Sequence, residues 1–254
     1  MPSKNPLRAH LRSLWAFIAE PLLVVGLAFI STTAIAQPFY VPTGSMQPTI
    51  AIGDAMIGNK FAYGWSRWSA PFGLGPETGT RLLGHVPARG DVVVFRKPGE
   101  MATTLVKRVI GLPGDRIQMR YGRLWINGKE VPQVAAGNAQ VESSADGSLS
   151  EARAFTEILP GGVRHTIFKK VRFGALDDTP VFTVPANHLF MMGDNRDDSL
   201  DSRVPQAEGG VGFVPMENLM AKAEITIGSY DFLNAHGPAS WPGLVRFGRF
   251  FRSI

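Results

Sequence analysis

The segment PTGSMQPT, residues 42–49, carries a serine that follows a glycine and has a proline close on each side. A serine hydroxyl is a poor nucleophile until a neighbouring base removes its proton. Histidine is the usual base, but none of the five histidines lies close to Ser45 in the sequence or in a recognisable triad context. A lysine that burial keeps neutral is the alternative. Ser45 is therefore a candidate nucleophile whose base has to be found elsewhere in the chain.

Lys107 is the best candidate for that base. It lies in TLVKRVIGLPGD, residues 104–115, which is typical of a β-strand. On a strand, Leu105, Lys107 and Val109 share one face, so the amine lies among apolar neighbours while Arg108 points to the other face. Burial can lower a lysine pKa from about 10.4 to about 8. The alternative, which composition alone favours, is an ordinary surface lysine on an edge strand.

A third polar segment, MGDNRDDSLDSR, follows an apolar strand at residues 192–203. A calcium loop is one interpretation, because Asp197, Ser199, Asp201 and Glu208 fall at ligand positions of an EF-hand count. The position that needs glycine is Ser202, however, and the flanking segments are not helical. A polar turn held by its own Asp–Arg pairs is a second interpretation.

Residues 14–36 are almost wholly apolar and follow the basic residues Lys4, Arg8 and Arg12. Roughly 23 helical residues at about 1.5 Å each reach about 35 Å, which is enough to cross a bilayer core. The positive-inside rule places the N-terminus in the cytoplasm and the rest of the chain outside. A cleaved signal peptide is the alternative, because Ala34-Ile35-Ala36 before Gln37 fits the small-x-small rule.

Composition excludes several classes of site. The 254 residues include no cysteine, so disulfides, thiolate nucleophiles and cysteine-based zinc sites are ruled out. No zinc-protease or P-loop motif occurs. The formal net charge of +5 is too mild to indicate nucleic-acid binding. We expect no metal, no cofactor and no nucleic-acid partner.

The three polar segments, in this order behind one basic-flanked apolar span, resemble the type I signal peptidases, the membrane-bound Ser-Lys leader peptidases. IGDAMIGNKFAYG (52–64) and RGDVVVF (89–95) also resemble the framework of that family. The resemblance runs from about residue 39 to 115 and again from about 184 to 223. Each motif alone is moderately specific, whereas the ordered set is very specific.

The resemblance implies a role for each matching residue. Ser45 is the nucleophile, Lys107 is the general base, and the Ser45 N–H and the Thr43 hydroxyl form the oxyanion hole. Ser199 hydrogen-bonds Lys107, and Asp201 pairs with Arg203 to brace that loop. The pockets for substrate residues −3 and −1 are lined by Phe39, Val41, Pro42, Met46, Ile50, Leu105 and Val106. The implied activity is removal of signal peptides from exported preproteins, after small-x-small motifs, at the outer face of the cytoplasmic membrane.

Many relatives have serine at the Thr43 position, and threonine keeps the donor. Asp198 replaces the usual asparagine and adds a charge beside Ser199. The segment 204–211 is longer than in many relatives. These departures leave the nucleophile and the base unchanged.

The remaining pattern predicts a mainly β fold: an antiparallel-sheet ectodomain with an inserted smaller β subdomain, preceded by one N-terminal transmembrane helix. The predicted division is a basic cytoplasmic tail (1–13), an anchor (14–36), a catalytic domain (37–116 and 184–254) and an inserted subdomain (117–183). Strands are predicted in the segments 91–98, 103–113, 116–131, 165–173, 179–185 and 219–228. The dipeptide Asn127-Gly128 predicts a tight turn. Residues 135–152 are small and polar and predict a surface loop.

Two aromatic segments are open to two interpretations. Residues 63–79, with Trp65, Trp68 and Phe72, and residues 241–254, with Trp241, either pack on the domain or lie at the membrane interface. The expected partners are preproteins and the lipid bilayer, and a monomer is expected.

Other functions stay open as alternatives. A Ser-Lys self-processing regulator or a pilin-type processing peptidase would keep the chemistry and change the substrate. A penicillin-interacting enzyme would need S-x-x-K, and Pro48 stands where that lysine belongs. A membrane-anchored, non-catalytic β binding module would tolerate alanine at both Ser45 and Lys107.

Overall fold

The structure is a computed structural model, and it describes residues 6–30, 35–69, 81–231, 233 and 243–254. Within these ranges the chain is mainly antiparallel β-structure with one α-helix, which confirms the mainly β, antiparallel part of the predicted fold class. The expectations for Phe72 and Trp241 lie outside the described residues.

The helix α1 runs from Pro6 to Ile30. Its described large apolar side chains are exposed: Trp15, Phe17, Ile18, Leu22, Leu23, Val24, Val25 and Leu27. Across the part of the chain that the structure describes, no helix combines the length and the apolar character that a membrane crossing requires. The transmembrane segment over residues 14–36 stays a prediction.

The strands, in chain order, are β1 (Ala36–Tyr40), β2 (Asp54–Asn59), β3 (Val92–Lys97), β4 (Glu100–Gly111), β5 (Arg116–Arg120), β6 (Arg123–Ile126), β7 (Lys129–Glu130), β8 (Gln133–Glu142), β9 (Leu149–Ile158), β10 (Arg164–Lys169), β11 (Phe182–Thr183), β12 (His188–Met192), β13 (Val214–Pro215), β14 (Leu219–Ser229) and β15 (Arg252–Ser253). Short 3-10 helices span Arg67–Ser69, Gln206–Glu208, Met216–Asn218 and Phe247–Arg249. Every segment predicted as a strand contains one.

The main sheet has the strand order β1-β2-β14-β3-β4-β12-β13, with β15 paired to β14. The strand β4 lies between β3 and β12, where Val93 pairs with Lys107 and Met192 pairs with Arg108. Lys107 is therefore not on an edge strand. The interpretation of Lys107 as an ordinary surface lysine is wrong.

Two smaller sheets are formed by the segment between β4 and β12. One has the order β11-β5-β6-β7 and the other the order β10-β9-β8. The predicted turn at Asn127-Gly128 is confirmed: it joins β6 to β7, and its two residues have positive φ angles of 53° and 77°.

The prediction of a surface loop over residues 135–152 is wrong. Most of this segment forms the long hairpin of β8 and β9, whose register runs from the pair Gln133–Glu157 to the pair Glu142–Leu149. The strand β8 is largely exposed and has small polar residues on both faces, so it lacks the alternating apolar pattern by which strands are recognised. Backbone pairing with β9 defines this strand.

The core beneath the main sheet supports the segment that carries Ser45. Val41, Met46, Ile50 and Met56 are at most 1% exposed and pack together with Val94. Burying a side chain of this size contributes about 1.5–3 kcal/mol. The Ser45 segment is thus anchored by its own apolar residues.

Candidate active site

Ser45 lies in the connection between β1 and β2, which we call the Ser45 turn (residues 44–50). The Gln47 N–H donates to the Gly44 carbonyl oxygen at 3.1 Å, and the Ile50 N–H donates to the Met46 carbonyl oxygen at 3.0 Å. The side chains of Met46 and Ile50 are fully buried, whereas Ser45 is 9% exposed. The turn therefore buries Met46 and Ile50 in the core and leaves Ser45 slightly more exposed than either.

Lys107 extends from β4 to the Ser45 side chain. Its Nζ atom donates a hydrogen bond to Ser45 Oγ at 2.6 Å. Because the lysine is 3% exposed, burial lowers its pKa from 10.5 to about 8. Asp201 and Asp194 raise the pKa and Arg203 lowers it, but desolvation dominates. At pH 7 roughly one molecule in ten then holds a neutral amine, against about one in 2,500 for a lysine in water.

Asp201 and Arg203 form a buried ion pair, with Arg203 Nε 2.8 Å from Asp201 Oδ1. The Gly193 N–H donates to Asp201 Oδ2 at 3.0 Å, and Arg203 Nη2 donates to the Arg196 carbonyl oxygen at 2.7 Å. Burial would raise the pKa of the Asp201 carboxyl, but Arg203 and these hydrogen bonds hold it below its ordinary value. The pair fixes the 193–203 segment behind the lysine.

Ser199 does not make the expected hydrogen bond to Lys107. Its Oγ atom is buried and has no hydrogen-bond partner among the described residues, although it lies close enough to Asp201 to help lower that carboxyl's pKa. Gly193 separates Ser199 from the Ser45 backbone. A Cβ atom at Gly193 would lie 2.4 Å from Ser199 Oγ and 2.5 Å from the Ser45 carbonyl oxygen.

Asn195 supports the Ser45 turn, and sequence analysis assigned it no role. Its backbone N–H donates to the Ser45 carbonyl oxygen at 3.1 Å, and its Nδ2 donates to the Gly44 carbonyl oxygen at 3.1 Å. Asn195 lies in the GDNR segment, which the sequence singles out, but its contact with the Ser45 turn is not visible in the sequence. The contact joins residues about 150 positions apart, which no local pattern reveals.

Arg108 and Asp194 hold the far end of the turn. Arg108 donates to both Asp194 carboxylate oxygens, at 2.8 and 2.6 Å, and to the Gly90 carbonyl oxygen at 2.7 Å. The Thr49 hydroxyl donates to Asp194 Oδ2 at 2.5 Å. The residue next to the candidate base therefore positions the turn that carries the candidate nucleophile.

The residues expected to form the oxyanion hole and the pockets differ in exposure. Thr43 and Pro42 are exposed, Phe39, Leu105 and Val106 are half-buried, and Val41, Met46 and Ile50 are buried. Phe39, Val41, Met46, Ile50 and Val106 pack in one apolar cluster, and Leu105 packs in the neighbouring cluster. Of the half-buried residues, Phe39 and Val106 therefore pack against the cluster that contains Met46 and Ile50.

Two of the three carboxylates that fall at ligand positions of the EF-hand count, Asp197 and Asp201, have cationic partners. Asp197 accepts from Lys169 Nζ at 2.8 Å, and Asp201 pairs with Arg203. Asp198, the departure from the family pattern, lies 3.0 Å from Lys170 Nζ and accepts from Asn195 Nδ2 at 3.3 Å. Its extra charge is therefore balanced locally.

Known proteins are similar to this chain over most of its length. The profile described as signal peptidase, peptidase S26, matches residues 14–227. Signal peptidase I of Rickettsia canadensis (strain McKiel) is 36% identical over 250 residues, covering 91% of this chain and 90% of that protein. Signal peptidase I of Rickettsia akari (strain Hartford) has the same identity and coverage. A crystal structure of a signal peptidase I from Enterococcus faecalis V583 is 26% identical, with a TM-score of 0.31 over 54% of this chain and 97% of that chain.

A serine hydroxyl hydrogen-bonded to a buried amine is an arrangement suited to a serine hydrolase. The profile match covers most of the chain, and the relatives match it over nearly their whole length. The chain belongs to the signal peptidase family, peptidase S26. It is therefore a serine peptidase and a hydrolase.

Proposed function

We propose that this protein removes signal peptides from exported preproteins through a Ser45–Lys107 dyad and an acyl-enzyme. The observation that carries the proposal is the 2.6 Å hydrogen bond between Lys107 Nζ and Ser45 Oγ, made by a lysine whose pKa is lowered to about 8. A general base must lie within hydrogen-bond reach of the proton that it removes and must be unprotonated at the working pH.

In the first half-reaction, the neutral Lys107 amine accepts the Ser45 proton while Ser45 Oγ attacks the scissile carbonyl carbon. The developing oxyanion accepts hydrogen bonds from the Ser45 N–H and the Thr43 hydroxyl. Preorganised donors of this kind are commonly worth about 3–4 kcal/mol each. The Lys107 ammonium then protonates the leaving amine, and the Ser45 ester of the signal peptide remains.

In the second half-reaction, Lys107 removes a proton from water, and the resulting hydroxide attacks the ester carbonyl carbon. The tetrahedral intermediate collapses, Ser45 Oγ leaves, and it recovers a proton from the lysine. The signal peptide departs as a free acid. One amine serves both steps because each step returns it to its neutral form.

Specificity for small side chains at positions −1 and −3 follows from the apolar surface beside Ser45. Phe39 and Val106 are half-buried and pack against the cluster that contains the fully buried Met46 and Ile50, and Leu105 is half-buried against the neighbouring cluster. Well-packed side chains must move to admit a large substrate side chain, and such overpacking costs about 1–3 kcal/mol. Cleavage after small-x-small motifs is therefore part of the proposal.

The proposed setting is the outer face of the bacterial cytoplasmic membrane, with residues 14–36 as a retained single anchor and the N-terminus in the cytoplasm. The apolar run, the preceding basic residues and the exposed apolar side chains of α1 support it. We assign residues 37–116 and 184–254 to a catalytic domain and residues 117–183 to an inserted subdomain, in a monomer. N-terminal sequencing of the mature protein tests the anchor, because a chain that begins at Gln37 has lost it.

The decisive experiment is cleavage of a purified preprotein in detergent by the wild type, Ser45→Ala and Lys107→Ala. Both variants are expected to fold and to lose cleavage, while Lys129→Ala, at an exposed lysine on β7, keeps it. Normal cleavage by Lys107→Ala would place the base elsewhere. If the wild type cleaves no preprotein that is tried, the alternative of a non-catalytic binding module is favoured.

A further inference from the structure

The β8–β9 hairpin of the inserted segment contacts the Ser45 turn directly. Its end, which we call the hairpin tip (residues 142–148), lies against Gly44 and Gln47. The Gly44 N–H donates to Ser144 Oγ at 2.8 Å. This contact joins residues 100 positions apart, from a segment that matches no motif of the active site.

Two further hydrogen bonds join the hairpin tip to Gln47 of the Ser45 turn. Gln47 Nε2 donates to the Glu142 carbonyl oxygen at 3.0 Å, and the Glu142 N–H donates to Gln47 Oε1 at 3.1 Å. The Gln47 side chain is therefore paired with one backbone unit of the hairpin through both of its polar atoms. Gln47 is 5% exposed, so these bonds are shielded from water.

A side chain at position 44 would crowd this contact and displace the Gln47 amide. A Cβ atom there would lie 2.5 Å from Gln47 Nε2 and 3.1 Å from the Glu142 carbonyl oxygen. The glycine that precedes the nucleophile is thus explained by the hairpin that packs over it.

The hairpin tip has internal hydrogen bonds that give it a defined shape. The Ser143 N–H donates to the Ser148 carbonyl oxygen at 2.8 Å, and the Gly147 N–H donates to the Ser143 carbonyl oxygen at 3.0 Å. Val141, at the base of the tip, is fully buried against Ala152 and Phe168. The tip is therefore a firm support for the turn.

Both ends of residue 44 are held, and this fixes the peptide unit that precedes Ser45. Ser144 accepts from the Gly44 N–H, while Asn195 Nδ2 donates to the Gly44 carbonyl oxygen. The Gly44 carbonyl and the Ser45 N–H belong to one planar peptide unit and point in opposite directions. Asn195 holds this unit directly, whereas Ser144 holds the preceding Thr43–Gly44 unit. The two contacts together restrict rotation about the Gly44 Cα atom, and this aims the Ser45 N–H, the donor that we place in the oxyanion hole.

We propose that Ser144 and the hairpin tip position the Ser45 turn for catalysis, which gives the inserted segment a role in the reaction. This inference rests on the proposed function. Ser144 is a positioning residue, since it acts through Gly44 on the Ser45 N–H and touches neither the nucleophile nor the base in the contacts described above. Its loss should therefore lower kcat and leave KM near the wild-type value.

The test compares Ser144→Ala, Ser144→Thr and Ser148→Ala in the full chain in detergent. Ser144→Ala is expected to lower kcat about five-fold, which corresponds to one neutral hydrogen bond. Ser144→Thr keeps the hydroxyl and should restore kcat. Ser148→Ala is the matched control, because it removes only the Ser148 hydroxyl, which donates to Asp146, and keeps the Ser148 carbonyl oxygen that accepts from the Ser143 N–H. Gln47→Met, which removes the other two hydrogen bonds, should lower kcat at least as much as Ser144→Ala.

Hydrogen exchange of the amides in residues 43–47, measured by mass spectrometry, tests the same contact without any activity. Exchange should be faster in Ser144→Ala and unchanged in Ser148→Ala. If the wild type cleaves no preprotein, the proposed function fails and the exchange result alone decides the positioning role. Equal kcat and equal exchange in Ser144→Ala and Ser148→Ala would overturn the inference, as would a Ser144→Ala variant that cleaves faster than the wild type.

Discussion

At the residue scale, the proposed reaction depends on the burial of Lys107. Burial disfavours the charged form of this lysine and lowers the stability of the fold. Lys107 Nζ lies 2.6 Å from Ser45 Oγ, and its pKa is lowered to about 8 mainly by desolvation. The negative charges of Asp201 and Asp194 act in the other direction, and Arg203 offsets part of their effect. The lysine is thus buried enough to lose its proton near neutral pH.

The acidic limb of the pH profile should report this pKa. Only the neutral amine can accept the Ser45 proton, so kcat/KM is expected to rise with pH, to reach half of its plateau at about pH 8 and to level off about one pH unit higher. Initial rates between about pH 6 and pH 10, with a substrate free of ionisable groups near the cleavage site, measure the limb. A limb centred near the ordinary lysine value of about 10.4 would contradict the buried base.

Lys107→Met should stabilise the fold while abolishing activity. Between about pH 8 and 10.5 the unfolded lysine binds a proton that the folded lysine does not, so stability rises with pH across that window. Below it the charged lysine costs the folded state about 3 kcal/mol. The variant is therefore expected to gain about that free energy of unfolding at pH 7, with the gain shrinking above pH 8. Denaturant unfolding measures it, and Lys129→Met is the control at an exposed site.

At the element scale, the Ser45 turn is held by the 193–203 segment, by β4 and by the β8–β9 hairpin. Each support contributes hydrogen bonds at a different point of the turn, from Gly44 to Thr49. A firm turn matters because a nucleophile displaced by about 1 Å can lose about 100-fold in rate.

Gly193→Ala should abolish cleavage through one such support. The new methyl group would overlap Ser199 Oγ and the Ser45 carbonyl oxygen, at 2.4 and 2.5 Å. Relief of the overlap requires the turn and the 193–203 segment to separate, which moves Ser45 away from Lys107. Gly248→Ala, where nothing lies within 4 Å of the added atom, is the control. Single-turnover cleavage measures the effect, and wild-type rates in Gly193→Ala would show that the turn tolerates the shift.

A buried histidine makes the contact between the sheets sensitive to acid. His165 on β10 lies 3.5 Å from Glu157 and 3.9 Å from Asp194, with Arg108 and Arg196 close by. Burial lowers its pKa from 6.5 to about 4, although Asp194 acts to raise it. Below pH 6.5 the unfolded chain binds a proton that the folded chain does not. Stability is therefore expected to fall as the pH drops from about 6.5 to about 4.

The expected loss over that window is about 3 kcal/mol. His165→Met should flatten the dependence, whereas His188→Met, at a histidine whose ring contacts the Ala186 carbonyl oxygen, should keep it. The test is to measure the unfolding free energies of the wild type and both variants at pH 7, 5.5 and 4.5. A wild type equally stable at the three values would show that His165 has the same pKa in both states.

At the scale of the whole molecule, the C-terminal segment returns to the active-site turn. The strand β15 pairs with β14, and Arg249 donates to the Thr49 carbonyl oxygen at 3.1 Å and to the buried Asp54 carboxylate. Phe247 and Phe251 are 72% and 74% exposed on the same segment. The described residues 243–254 are thus docked on the domain and also present aromatic surface. Contact of this surface with a membrane stays a prediction.

Arg249→Gln should lower both stability and activity. The substitution leaves Asp54, which is 0% exposed, without its cationic partner, and breaking a buried pair costs about 3–5 kcal/mol. Because Arg249 is itself partly exposed, we expect about 2–3 kcal/mol. Urea unfolding measures the loss, and Arg252→Gln, at an exposed residue of the same segment, is the control. Equal stability of the two variants would mean that the tail does not hold the turn.

The sequence by itself determined the chemistry and most of the strands. The three polar segments are local in the chain, so their resemblance to the signal peptidase family nominates Ser45, Lys107 and the Asp201–Arg203 pair without knowledge of contacts. Apolar and β-branched runs predict β3, β4, β5, β6 and β14 for the same local reason. The strand β8 escaped recognition because its largely exposed, small residues carry no alternating apolar pattern.

The burial of Lys107 and the long-range contacts that hold the Ser45 turn are visible only in the tertiary structure. The pKa of Lys107 depends on how completely β3, β12 and the 193–203 segment exclude water from it. Asn195, Arg249 and Ser144 reach the Ser45 turn from about 150, 200 and 100 positions away in the chain. Such contacts depend on how separate sheets pack, and a local sequence pattern carries no information about that packing.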